Sequence, residues 1–162
     1  MDFISNFSKD KIKLITDKKN YRIRYNCVDK IFFKVPSVYS PFGIENYNKK
    51  DILNLDLKND SNEKYNYILI IKELDEYFKN LPNTNPDFGN LNYISPIKIQ
   101  DDGKITIRTH ISNKLKIKSN NNQIVLKKNK FQIELEFSSI WVYNNNFGLI
   151  LTVNEIDLTQ TI

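Results

Sequence analysis

Apolar and polar residues alternate along most of this chain, with the two-residue period of a strand that buries one face. The clearest example is the segment 131–137, in which every second residue is Phe, Ile or Leu. Apolar runs follow at 140–143 and 149–153, and the Asn-rich segment 144–148 lies between them. This segment is typical of a turn, because Asn and Gly tolerate positive φ. We predict that the resulting hairpin closes a small β-barrel.

The same alternation predicts further strands in the rest of the chain. Residues 17–20 are expected to form the hairpin loop between the first two strands. Pro36 is expected to stop the third strand, because proline cannot donate a ladder hydrogen bond. The pattern therefore predicts about nine short strands. Those outside the segment above are 11–16, 21–25, 30–35, 52–57, 104–111 and 114–118, with a short candidate at 124–126.

One segment has a helical period instead. Between Tyr67 and Leu81, apolar residues recur at steps of three and four, which places them on one face of a helix. Asp60 followed by Glu63 resembles a capping box at the start of this helix, and Pro82 is expected to end it. One helix over residues 60–81 with about nine strands predicts a mostly β (α+β) domain of barrel or sandwich type.

Two irregular segments separate these elements, at 36–50 and 82–95. The first carries three aromatic residues, Tyr39, Phe42 and Tyr47. Loops hold a large share of binding residues, so we interpret this one as a candidate binding loop.

Length and composition limit the class of protein. The chain of 162 residues suffices for a single domain, 1–162, and has neither a long apolar run nor a basic and then apolar N-terminal region. We therefore expect no membrane span and no secretory signal. The single Cys27 predicts a reducing compartment. There is no alanine, and lysine far outnumbers arginine, which indicates an AT-rich genome.

The charge has two interpretations. A net charge of +5 with an isoelectric point near 9.1 favours an acidic partner such as nucleic acid. AT-rich codons raise the lysine content whatever the function. Only the positions of the charges in the fold can therefore distinguish a functional charge from an effect of codon usage.

The sequence offers little for catalysis. One Cys and one His cannot build a Cys/His zinc cluster, and no glycine-rich phosphate loop is present. His110 has no nucleophile and orienting acid assembled beside it in the pattern. We expect no enzyme activity, no metal and no cofactor.

Strand parity groups cations with aromatic rings. Phe32 lies between Lys30 and Lys34 on one face of its strand, and Arg22 and Arg24 share a face of another. Such a mixture suits single-stranded nucleic acid, because cations neutralise phosphates and rings stack on unpaired bases. The alternative is that Phe32 packs under the helix or a loop, while the lysines keep sheet edges soluble. Trp141 also has two interpretations: it either packs in the core or stacks on a base of the nucleic acid.

The order of short motifs resembles that of the single-stranded-DNA-binding proteins of large nucleocytoplasmic DNA viruses. The motifs are VPSVYSPFGIENY, YISPIK, KITIRTHI and SIWVYNNNFGLILTVNEIDL, within residues 30–158. The resemblance implies an OB-like antiparallel barrel that coats unwound DNA during replication. It also implies a location in the host cytoplasm, at the viral factory, or in the virion.

The hypothesis from the sequence is a non-enzymatic, sequence-independent binder of single-stranded DNA. RNA as the bound strand and assembly into a homo-oligomer stay open. A β-rich virion or scaffold protein that binds other proteins is the alternative, because exposed aromatic residues also form interfaces. The candidate phosphate contacts are Arg22, Arg24, Lys30, Lys34, Arg108, Lys116 and Lys118, and the candidate stacking residues are Phe32, Tyr39, Phe42 and Trp141.

Overall fold

The structure is a computed structural model. It describes residues 8–17, 20–26, 29–120, 126–127 and 129–159. The arm at 1–7, Cys27 and most of the short strand predicted at 124–126 lie outside the described residues. No helix in the described part of the chain has the length and apolarity needed to cross a bilayer.

The described residues form ten strands, slightly more than the nine expected, and all ten belong to one sheet. The strands are β1 (Ile12–Asp17), β2 (Asn20–Tyr25), β3 (Ile31–Tyr39), β4 (Ile44–Tyr47), β5 (Lys50–Leu57), β6 (Asn92–Ile94), β7 (Ile97–Ile99), β8 (Ile105–Lys118), β9 (Lys130–Tyr143) and β10 (Asn146–Asp157).

Five of these strands pair in a closed ring. The order around the ring is β3, β5, β8, β10 and β9, and β9 returns to β3. The β8–β10 pair is parallel and the other four pairs are antiparallel. The β1–β2 hairpin extends the sheet from β9, while β4, β6 and β7 add to β5, β10 and β8.

Two helices lie between β5 and β6, α1 (Asn62–Lys79) and the short α2 (Leu81–Thr84), and 3-10 turns occur at Lys9–Lys11 and Pro86–Phe88. The apolar face predicted for α1 is buried, including Ile68, Ile71, Leu74 and Phe78. Tyr67 stacks on Phe33 of β3 with ring centroids 6.3 Å apart. The helix therefore packs its apolar face on the core and contacts the core-facing side of β3.

The start and end of α1 differ from the prediction. Ser61, not Asp60, is the N-cap, and its Oγ accepts from the backbone N–H of Lys64 at 3.2 Å. Asp60 pairs with Nζ of Lys64 at 2.8 Å, which holds the pKa of Asp60 below its usual value. The helix ends at Lys79, and Pro82 falls within α2, where the missing N–H of an early helical position costs nothing.

Several predicted strands turn out to be parts of longer ones. Segments 131–137 and 140–143 form the single strand β9, and segments 104–111 and 114–118 form β8. A register shift between the Phe137 and Ser139 pairs leaves one extra residue in β9, and such a bulge interrupts the alternation without ending the strand.

Pro36 does not stop β3, contrary to the prediction. The strand continues to Tyr39 through a register shift between Val35 and Val38. Ser37 has φ +52°, and the bulge at this point removes the need for a ladder hydrogen bond from the proline. The segments expected to be irregular contain β4 at 44–47, all but the first residue of α2, and β6.

Candidate nucleic-acid interface

A groove of about 620 Å³ lies on the outer side of the ring, over β5, β8 and β10. Directly paired residues of two strands share a face, so Asn54 and Arg108 stand side by side in its floor. His110 of β8 and Ile150 of β10 continue the floor. The parity predicted for β8 is confirmed here, because Ile105 and Ile107 are buried while Arg108 is exposed.

Cations from three strands line this groove. They are Lys50 of β5, Lys98 of β7 and Arg108 of β8. The guanidinium of Arg108 lies 5.8 Å from the ring centroid of Tyr47, a cation–π contact. Burial, followed by the charges of Lys50 and Arg108, lowers the pKa of His110. The imidazole is therefore uncharged near neutral pH, and the groove holds three side-chain cations together with one uncharged imidazole.

Trp141 forms part of the groove wall and does not lie in the core, the alternative that the sequence left open. It pairs with Gly148 across the β9–β10 ladder, and the two residues face the groove side of the sheet. A Cβ on Gly148 would lie 2.6 Å from Nε1 of Trp141. The indole therefore lies against the backbone at Gly148, and only glycine leaves room for this approach.

Two hairpin tips flank the groove and carry further aromatic residues. The β9–β10 turn is Asn144–Asn145, both with positive φ, and Tyr143 before it is 71% exposed. The β4–β5 turn is Asn48–Lys49, also with positive φ, and Tyr47 before it is 62% exposed. These dihedral angles are typical of two-residue hairpin turns, and an exposed tyrosine precedes each of the two turns.

A hydrogen-bonded tie fixes the wall formed by residues 94–96. The hydroxyl of Tyr93 donates to Oδ1 of Asp75 at 2.6 Å, and Oγ of Ser95 donates to the same oxygen at 2.7 Å. Burial and the carboxylate of Asp75 raise the pKa of Tyr93, so its hydroxyl stays protonated over the ordinary pH range. This tie connects helix α1 to the wall of the groove.

Of the eleven residues predicted from the sequence, Arg108 and Trp141 line this groove. Arg22 lies on the same outer side of the sheet, because it pairs with Ser139, which in turn pairs with Ile150 of the groove floor. Arg24 follows Arg22 on the same face of β2.

Tyr39 belongs to a second cavity of about 410 Å³, and Phe42 is 61% exposed and lines neither cavity. Lysines converge on this second cavity from four places in the chain. Two of them are paired: Lys104 with Asp56 at 3.7 Å, and Lys64 with Asp60. The four lysines that line the cavity are Lys58, Lys64, Lys104 and Lys130.

Phe32 and Lys34 point outward on β3, as predicted, but they pair with Glu136 and Glu134 of β9. Lys30 comes directly before this strand. The Lys-Phe-Lys face therefore adjoins carboxylates and lies outside the groove.

Lys116 and Lys118 are also outside the groove. They pair with Glu155 and Asp157 across the β8–β10 ladder, and Nζ of Lys118 lies 3.1 Å from the carboxylate of Glu155. Their charges are thus partly compensated within the fold.

Sequence reasoning missed two cations of the groove, Lys50 and Lys98, and it missed Tyr143 at the neighbouring hairpin tip; it named Tyr47 only as part of a candidate binding loop. Tyr47 and Lys50 fall in the segment expected to be a loop, where no parity could be assigned. Tyr143 shares the parity of Trp141, and this was the one available signal for it. Lys98 lies in a strand of three residues, too short for alternation to indicate.

No protein-family model and no curated protein matches the chain. Among the solved structures that share its fold at low sequence identity are two bacteriophage proteins. The single-stranded DNA-binding protein encoded by bacteriophage T7 is 13% identical, with a TM-score of 0.53 over 80% of this chain and 86% of that one. A C-terminally truncated single-stranded DNA-binding protein from bacteriophage Enc34 is 12% identical, with a TM-score of 0.51 over 92% and 93%.

Proposed function

We propose that this chain binds single-stranded DNA in the groove, without sequence preference, during viral DNA replication or repair. The observation that carries the proposal is the meeting of three cations with Trp141 and Tyr47 on one outward face. Cations supply the phosphate contacts, and rings stack on any unpaired base. We propose a binding role alone, without catalysis.

The position of the groove supports this proposal. In an OB-fold, the second and third strands of a five-stranded barrel bind oligonucleotides, together with the loops between strands 1 and 2 and between strands 4 and 5. We propose that the five-strand ring is such an OB-like barrel. Its second and third strands are then β5 and β8, and the flanking hairpins carry Tyr47 and Tyr143. The proteins with this fold from phages T7 and Enc34 are themselves single-stranded DNA-binding proteins.

The short motifs and the AT-rich composition support a finer proposal. The source is a large DNA virus, and the protein acts at the viral factory of the host cytoplasm or in the virion. DNA is proposed as the bound strand, with RNA as the competitor to be tested.

Titration with oligo-dT of about 30 nucleotides tests the function, since a site of this kind covers about 4–16 nucleotides. We expect tight binding at low salt, a steep loss at high salt, and weak binding to duplex of equal length. Poly-U reports the preference between DNA and RNA. Absence of binding at low salt contradicts the proposal, and salt-insensitive binding to a protein partner instead supports the scaffold alternative.

The variant Trp141→Ala tests the location of the site. We expect it to weaken binding by roughly 5- to 150-fold, because stacking on one base contributes about 1–3 kcal/mol. Phe32→Ala is the matched control, since Phe32 is 49% exposed on the ring but lies outside the groove. A loss for Phe32→Ala without one for Trp141→Ala moves the interface to β3.

A further inference from the structure

The β1–β2 hairpin has one basic face and one buried face. Lys13 pairs with Arg24 and Ile15 pairs with Arg22, so three of these four side chains on one face are cations. On the opposite face, Ile12, Ile23 and Tyr25 are buried. The hairpin is therefore anchored from its inner side, and its basic face points away from the core.

Aromatic packing holds the hairpin in place. The ring of Tyr21 lies 4.9 Å from the ring of Phe88, with which Phe147 of β10 also packs at 5.1 Å. The hydroxyl of Tyr25 accepts from the backbone N–H of Ser8 at 3.0 Å. The basic face thus belongs to a fixed part of the sheet.

Strand register places this basic face in line with the groove. Arg22 pairs with Ser139 of β9, and Ser139 pairs with Ile150 of β10, so all three lie on the outer side of the sheet. Ile150 and Arg108 both line the groove. Three strand spacings of about 4.8 Å separate β2 from β8, so the path along the curved sheet surface from Arg22 to Arg108 is roughly 14 Å.

We infer that the β1–β2 hairpin is a second contact region for the same nucleic-acid strand. This inference rests on the proposed function of the groove. The strand leaves the groove across β10, passes Trp141 on β9, and reaches Lys13, Arg22 and Arg24, which bind its phosphates. The bound strand therefore runs across the β-strands and not along them, and the complete site is longer than the groove.

The double variant Arg22→Gln/Arg24→Gln tests this extension with two lengths of oligo-dT. A strand of about 5 nucleotides occupies the groove alone, and one of about 16 nucleotides reaches the hairpin. We expect unchanged affinity for the short strand and weaker binding of the long one. The slope of log affinity against log salt should fall by about 1.4 for the long strand, because each phosphate contact to a single strand contributes about 0.7.

The matched control is Lys72→Gln/Lys79→Gln, which removes two charges from helix α1 instead of from the hairpin. Melting temperatures of both double variants exclude a folding defect. Equal affinity of the hairpin variant and the native protein for the long strand overturns the inference. An equal loss at both lengths also overturns it, because the charges then act as a general field. Failure of the native protein to bind either strand removes the proposed function and the inference together.

Discussion

Gly148 and Trp141 form the most constrained contact of the groove. The two residues pair across the β9–β10 hairpin, and the indole occupies the space into which any larger side chain on Gly148 would project. The position of the indole therefore depends on the absence of a side chain at Gly148 in the neighbouring strand β10. A sequence pattern can place Trp141 on a face, but it cannot show this contact.

We expect Gly148→Ala to displace the indole, because the new Cβ would lie 2.6–2.7 Å from three atoms of the ring. The expected results are a shifted emission of the single tryptophan and weaker binding of oligo-dT. Gly89→Ala is the control, since its Cβ would meet only the carbonyl of Pro86 at 3.4 Å. Unchanged emission in Gly148→Ala contradicts the described position of Trp141.

We expect His110 to make both stability and binding at the groove depend on pH. Burial, Lys50 and Arg108 lower its pKa, so the folded protein takes up this proton less readily than the unfolded chain. This contribution to stability is present above pH of about 6.5 and is lost as the pH falls below it. A bound phosphate chain has the opposite effect, because its charge favours the imidazolium.

We therefore expect oligo-dT to bind more tightly as the pH falls from about 8 to about 6, with uptake of a proton at His110. His110→Gln should flatten this dependence and leave binding at pH of about 8 nearly unchanged. Anisotropy titrations across this range measure both effects. A pH dependence that persists in His110→Gln shows that another group is responsible.

At the scale of elements, the connection between α1 and the β6–β7 segment determines the groove wall. Asp75 accepts from both Tyr93 and Ser95, while Tyr93 packs on Phe147 at 5.2 Å. Helix α1 thereby positions Ser95 in the groove wall.

Tyr93→Phe should lower the free energy of unfolding by about 1–3 kcal/mol, because a hydrogen bond to a carboxylate is lost. The pKa of Tyr93 is raised in the folded state, so its contribution is complete below pH of about 10 and decreases as the pH rises above that value. Urea titrations at pH of about 8 and above 10 measure this. The variant should lose less stability in alkali than the native protein, whereas the exposed Tyr65→Phe should match the native protein.

Periodicity predicted the elements well where one face is buried. The apolar positions of β3, β9 and α1 are those that the alternation and the helical period assigned to the core. The lengths of β8 and β9 could not be predicted, because polar residues such as Ser138 and Ser139 sit at irregular positions within a continuous strand. A bulge changes the parity of the pattern while the pairing continues.

At the scale of the whole molecule, charges that look alike in the sequence have different surroundings. Arg108 lies in a groove with other cations and rings, whereas Lys34 and Lys118 lie opposite carboxylates of β9 and β10. Strand parity predicts which face of its strand a residue occupies, but it does not predict which strand lies beside it. The ring order depends on contacts between distant segments, so sequence reasoning found Arg108 and Trp141 without showing that they meet.

Of the five strand pairings in the ring, the β3–β5 pairing has the fewest paired residues, with the single register pair Tyr39 and Asp56. The β9–β10 hairpin has eleven such pairs, and because its turn has only two residues, the paired residues near the turn are also close in sequence. In folding, the hairpin is therefore expected to assemble early and the β3–β5 seam to close last. In the native state, amide protons at this seam should exchange with solvent sooner than those in the middle of β9, so the closed ring opens along one defined line.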